Sequence, residues 1–192
     1  MDKLRMDDGA IVRIINRGSV KDFMEARGMF RFKLINPDGS VEREDVAFNL
    51  VTIQGKNDAL DKYLAGAAYT ATFNFGLISS VGYTALVNTD TAAQINGTNG
   101  WREAGPTYAP NYSEAVRQTA SWGAAASAGV KTNSTVSSFT ISGNGTIKGM
   151  FMSTSSVKNG VAGILVSEAL FSGGDQVVVI GQIAQVSYSL QL

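Results

Sequence analysis

The chain has 192 residues, no cysteine, no histidine, and 16 basic against 16 acidic side chains. That composition excludes disulfides, thiolate metal sites and catalytic sets built on histidine or cysteine, and it leaves no basic excess to grip a nucleic-acid backbone. No stretch of about 18 apolar residues predicts a membrane helix, and Met1-Asp2-Lys3-Leu4-Arg5 leads into no apolar run of a secretory leader.

The charges are unevenly spread. Residues 1–62 hold 11 of the 16 acidic and 11 of the 16 basic side chains, and the rest of the chain is rich in Ser, Thr, Gly, Asn, Ala and Val. This shift places the expected division at residue 66: residues 1–66 form a charged N-terminal arm, hairpin and helix, and residues 67–192 form a β-sandwich or jelly-roll-like domain expected to fold by itself.

Within the arm, Ile11-Val12-Arg13-Ile14-Ile15 reads as a short strand and Val20–Ala26 as a helical turn, but no periodicity is sustained over residues 1–28. Met29-Phe30-Arg31-Phe32-Lys33-Leu34-Ile35 then alternates apolar with mostly basic residues, the period of a half-buried strand. Asn36-Pro37-Asp38-Gly39 comes next: Pro presets φ for a turn and Gly accepts positive φ at its end. A second strand from Val41 to Leu50 completes a β-hairpin. A helix is expected over Gly55–Ala65, with Leu60 and Leu64 four residues apart beside Tyr63, Lys56, Asp58, Asp61 and Lys62 free to face water, and Gly66 in the capping position.

Strands are expected at Tyr69–Ile78, Ala115–Ala124, Ser137–Ser142, Thr146–Ser153, Gly163–Ala169, Gln176–Ile180 and Ala184–Leu190. Turn signals separate them at Asn96-Gly97, Asn99-Gly100, Asn144-Gly145, Asn159-Gly160 and Gly173-Gly174-Asp175. Short β-branched strands at these intervals predict a mainly β chain closing into a sandwich or jelly roll.

Paired carboxylates are the remaining route to chemistry, as in glycoside hydrolysis. The β-rich part offers Asp90, Glu103, Glu114, Glu168 and Asp175, and Glu103 and Glu114 flank a Gly-Pro and aromatic segment. The reading adopted is structural: these carboxylates accept from loop amides or pair with Arg102 and Arg117, and the chain is not an enzyme. Gly143-Asn144-Gly145-Thr146 superficially resembles a phosphate loop but lacks the following Lys-Ser/Thr, and a hairpin turn is expected there. Trp101, Tyr108, Tyr112 and Trp122 offer either a sugar-binding platform or buried packing, and packing is the expectation. No cofactor or metal is expected.

A further signal is the order of certain segments. Asn49-Leu50-Val51-Thr52, Gly55–Leu64 and Tyr69-Thr70-Ala71 are followed by Gly76-Leu77-Ile78, Gly100-Trp101-Arg102-Glu103 and Tyr112–Arg117. Ser138-Phe139-Thr140-Ile141, Gly145–Gly149 and Leu170–Asp175 complete the series. Over roughly residues 29–192 this order resembles a family of tailed-bacteriophage virion proteins, some of which are similar to capsid cement (decoration) proteins with a jelly-roll-like domain. The resemblance implies a structural protein on the exterior of the virion head, made in the bacterial host cytoplasm. Its implied partners are the major capsid protein and other copies of itself, with no nucleic acid or membrane. Ile11, Ile14, Ile15, Met29 and Phe30 are then the expected partner-contact residues. A tail, baseplate or head-fibre component, or a carbohydrate-binding module, is the alternative.

Overall fold

The computed structural model describes residues 27–66, 72–97, 100–124 and 129–191. The expected strand at Ile11–Ile15, the turn at Val20–Ala26 and the contact residues Ile11, Ile14 and Ile15 lie outside the described residues. The described part is mainly β, with 43% of its residues in strands and 10% in helices, arranged as two antiparallel sheets.

Alternation and turn chemistry produce the hairpin. Strand β1 (Arg27–Ile35) pairs with β2 (Val41–Phe48), and Asn36 and Gly39 close the turn through a Gly39 N–H to Asn36 C=O bond of 2.9 Å. The Asp38 carboxylate accepts from the Ser40 amide at 2.9 Å and its hydroxyl at 2.6 Å, fixing the exit of the turn. Gly39 sits at φ +84°, and nothing lies within 4 Å of where a Cβ would be. Replacing it with Val should therefore act through backbone strain alone, lowering stability by about 1 kcal/mol or more, whereas Asn should cost less. Urea denaturation of the two variants checks this order.

The hairpin does not stand apart from the sandwich. Strand β12 (Ile183–Gln191) lies along the whole of β1, from Arg27 opposite Gln191 to Ile35 opposite Ile183. On the other side of β12, β7 (Val130–Thr132) and β8 (Ser137–Thr140) pair with its two ends, giving a sheet of five strands among the described residues. Residue 66 thus separates segments that share one sheet. A fragment 67–192 would lack the central strand β1, so the expectation that it folds alone does not suit this arrangement.

Among the described residues the second sheet has seven strands. The path runs β3 (Leu50–Val51), β10 (Leu165–Leu170), β9 (Gly145–Ser153) and β4 (Asn74–Ser79). Two short strands, β5 (Arg102–Glu103) and β6 (Gln118–Thr119), pair with β4, and β11 (Gln176–Val178) pairs with β9. Phe30, Phe32 and Leu34 of β1 and Ala184, Val186 and Tyr188 of β12 meet Phe75, Leu77, Met150 and Met152 of the second sheet. Each such large side chain contributes about 1.5–3 kcal/mol by leaving water. The second sheet is buried on its other face too: Ile78, Phe151 and Leu165 pack there against Trp101 and Ile95, on loops that cover the sheet. This double burial explains why all six residues of β4 are inaccessible.

Two sequence expectations change. Gly143–Thr146 is not a hairpin turn, because β8 belongs to the first sheet and β9 to the second; the chain arches between layers, with the Ser142 and Gly143 amides held by Asn111 C=O at 2.9 and 3.1 Å. Ala115–Ala124 contains only β6 and an isolated bridge from Trp122 to Asn133, since its neighbours are drawn into loop contacts such as the Arg117 amide to Ser156 C=O at 2.9 Å. Asn96 and Asn159 do occupy turns, both with φ near +60°.

Candidate interaction surface

Each of the five carboxylates singled out above has a structural task. Glu103 is held by Arg117 through two bonds, Nε to Oε1 at 2.9 Å and Nη2 to Oε2 at 2.8 Å, and accepts the Asn159 amide at 2.6 Å. Both members of this pair are fully buried. Burial pushes the Glu103 carboxyl up, against the opposing pull of Arg117. Glu114 accepts the Thr140 amide with both oxygens at 3.0 Å, Asp175 takes Lys148 at 2.8 Å, and Asp90 accepts the Val87 amide at 3.3 Å. Glu168 accepts from Trp101 Nε1 at 3.0 Å, while its Oε1 is buried without a hydrogen-bond partner. Among the described residues no group of three or more acidic side chains is placed to hold a metal.

The four aromatics do not make a platform. Trp101 is buried against Phe151, Tyr112 is buried against Phe139, and Trp122 packs edge-on to Phe73 and Tyr188. Tyr108 stacks under the Arg102 guanidinium.

The outward face of the five-stranded sheet is different in kind. Its register sets three rows across β2, β1 and β12: Phe48–Met29–Ser189, Val46–Arg31–Ser187 and Glu44–Lys33–Gln185. The last row carries the Lys33–Glu44 ion pair at 2.9 Å, and the first sets Phe48 beside Met29. A groove of about 800 Å³ opens at the Phe48–Met29 end, where Met29, Phe48, Leu50 and Val130 meet Asn49, Lys56, Asn88 and Gln191. A smaller groove of about 450 Å³ runs over Arg31, Lys33, Val46 and Val136. Met29 lies half-buried on this outward face. Phe30 does not: it points inward, fully buried against Phe75 and Tyr188, because successive strand residues face opposite sides. Phe48, which no sequence signal marks, is 79% exposed beside Met29.

Helix α1 (Ile53–Leu64) borders this groove through Lys56. Thr52 caps it, its hydroxyl oxygen accepting the Gly55 amide at 3.0 Å, and Gly66, at φ +67°, comes after its end as expected. The helix meets the body at Gly55, where a Cβ would come within 2.5 Å of Val166 C=O. Gln54 Oε1 accepts the Leu165 and Ala92 amides at 2.8 and 3.2 Å. With about 100° per residue, anchoring at Gln54 and Gly55 turns Asp58 and Lys62 toward the body, and the side chains of both are largely covered. The apolar side is left in water: Ile53 is 45%, Leu60 52%, Leu64 73% and Tyr63 88% exposed.

Among the described residues no helix is long and apolar enough to cross a bilayer. Comparison with protein-family models and with curated proteins gives no match.

Proposed function

We propose that the chain is a structural protein of a bacteriophage virion that reinforces the head shell by bridging major capsid protein subunits. The segment order set out above motivates the setting. The observation that carries the role is the end of the outward sheet face where Phe48 stands 79% exposed beside Met29 over a groove of about 800 Å³. Large apolar side chains rimmed by polar residues mark sites that other proteins cover. In this reading the chain works without catalysis or cofactor, contacts protein rather than nucleic acid or membrane, and sits with other copies of itself on the capsid exterior.

The test adds the purified chain to heads that lack it and measures saturation and protection of the shell against heat. Phe48→Asp should weaken attachment by about tenfold or more, as loss of a central aromatic anchor does. Attachment unchanged by Phe48→Asp removes the groove from the interface. Attachment to isolated tails but not to heads replaces this reading with a tail or baseplate role.

A further inference from the structure

We infer that α1 is a self-association helix: two copies pair in parallel through a seam of Ile53, Asn57, Leu60 and Leu64. The inference rests on the proposed role and gives a surface to the self-contact included in it.

The spacing is that of a heptad seam. Ile53, Asn57, Leu60 and Leu64 are separated by four, three and four residues, which assigns them to positions d, a, d and a of a coiled coil. Gly55 and Lys62 then fall at f, the position farthest from a seam, and it is Gly55 that lies against Val166 in the body. The helix is therefore docked by its back, with the seam directed outward. A free helix of 12 residues would be marginal in water. This one is already held by the Thr52 cap and the Gln54 contacts, so pairing need not bear the cost of forming it.

Charge and polarity select the partner and its direction. Lys56 and Tyr63 occupy g, and Gln54 and Asp61 occupy e. In a parallel pair a g residue faces the e residue of the next heptad on the partner, which sets Lys56 opposite Asp61 of the second copy, twice by symmetry. Asn57 faces its own counterpart and can hydrogen-bond to it, the device that fixes register at an a position. Antiparallel pairing would set Asn57 against Leu60 and leave Lys56 opposite Tyr63. The complementarity is thus specific to a second copy in parallel. Two short helices bury less than the roughly 1,200 Å² of a standard interface, so the pair is weak in dilute solution and gains occupancy where copies are held close together.

The experiment is sedimentation equilibrium on the full chain. The wild type should associate reversibly with rising concentration. Leu60→Asp should weaken association about a hundredfold or more, since the symmetric seam would desolvate two carboxylates, with an unchanged circular dichroism spectrum showing that the sandwich persists. Lys56→Glu and Asp61→Lys each set like charges across the seam and should weaken self-association. Mixed together they should form the heterodimer preferentially, because each restores opposite charges to the other. A wild type monomeric throughout, association surviving Leu60→Asp, or no preference on mixing overturns the inference. Head binding is measured separately: a monomer that still saturates heads defeats only the seam, and a dimer that ignores heads defeats only the head-reinforcing role.

Discussion

Arg117→Met is expected to lower the unfolding free energy by about 3–5 kcal/mol, the usual cost of removing one member of a fully buried ion pair. The size reflects what is left behind. Glu103 would keep its inaccessible position with only the Asn159 amide among its present donors. Arg117 also donates to Ser155 C=O at 3.1 Å and Gly160 C=O at 2.7 Å and lies over the Phe151 ring, so the substitution unties the connection between β9 and β10 as well. Pairing Arg117→Met with Glu103→Leu should recover a large part of the loss, because no buried charge then remains. Urea denaturation of the single and double variants measures the coupling. A single-variant loss below about 1 kcal/mol would show that water reaches the pair.

Glu168 should make the protein less stable as pH rises through the neutral range. Burial, and after it the nearby Asp90 carboxylate, pushes its pKa up to about 9. An unfolded glutamate titrates near about 4.3. Below that value both states hold the proton and the contribution is fully present. Between the two values only the folded state holds it, so stability falls by about 1.4 kcal/mol per pH unit until the folded group also ionises near the upper value. Glu168→Gln removes this slope while keeping an acceptor for Trp101 Nε1. The variant should gain on the wild type by about 4 kcal/mol between pH 5 and pH 8. Stability curves that run parallel over that interval would rule out the buried neutral acid.

The parts of the fold legible in the sequence are those where one local signal suffices. Met29–Ile35 alternates because one face of β1 lies on the core, and Asn36–Gly39 carries its own turn chemistry. Strands β5 and β6, of two residues each, have no period to read. The pairing of Glu103 with Arg117 is within reach of the sequence, since few opposite charges exist in the β-rich part. The contact of Glu168 with Trp101 bridges 67 positions and leaves no local trace. The surface is half visible. Met29 is placed by alternation, but the same alternation sends Phe30 inward. The orientation of α1 runs against its pattern: Leu60, Tyr63 and Leu64 suggest a buried stripe, yet the close approach at Gly55 turns them outward. A glycine permitting backbone contact can decide which side of a helix is covered, and hydropathy does not register it.

The pairing of Arg27 with Gln191 has a consequence for biosynthesis. Among the described strands, translation delivers β1 before all the others and its longest neighbour, β12, after them. Until the ribosome has released Ile183–Gln191, Phe30, Phe32 and Leu34 have no completed sheet to join, and a nascent chain stopped earlier keeps β1 half paired. The layer therefore closes only once β12 has emerged, and a chain cut short before it presents an unfinished edge to proteases.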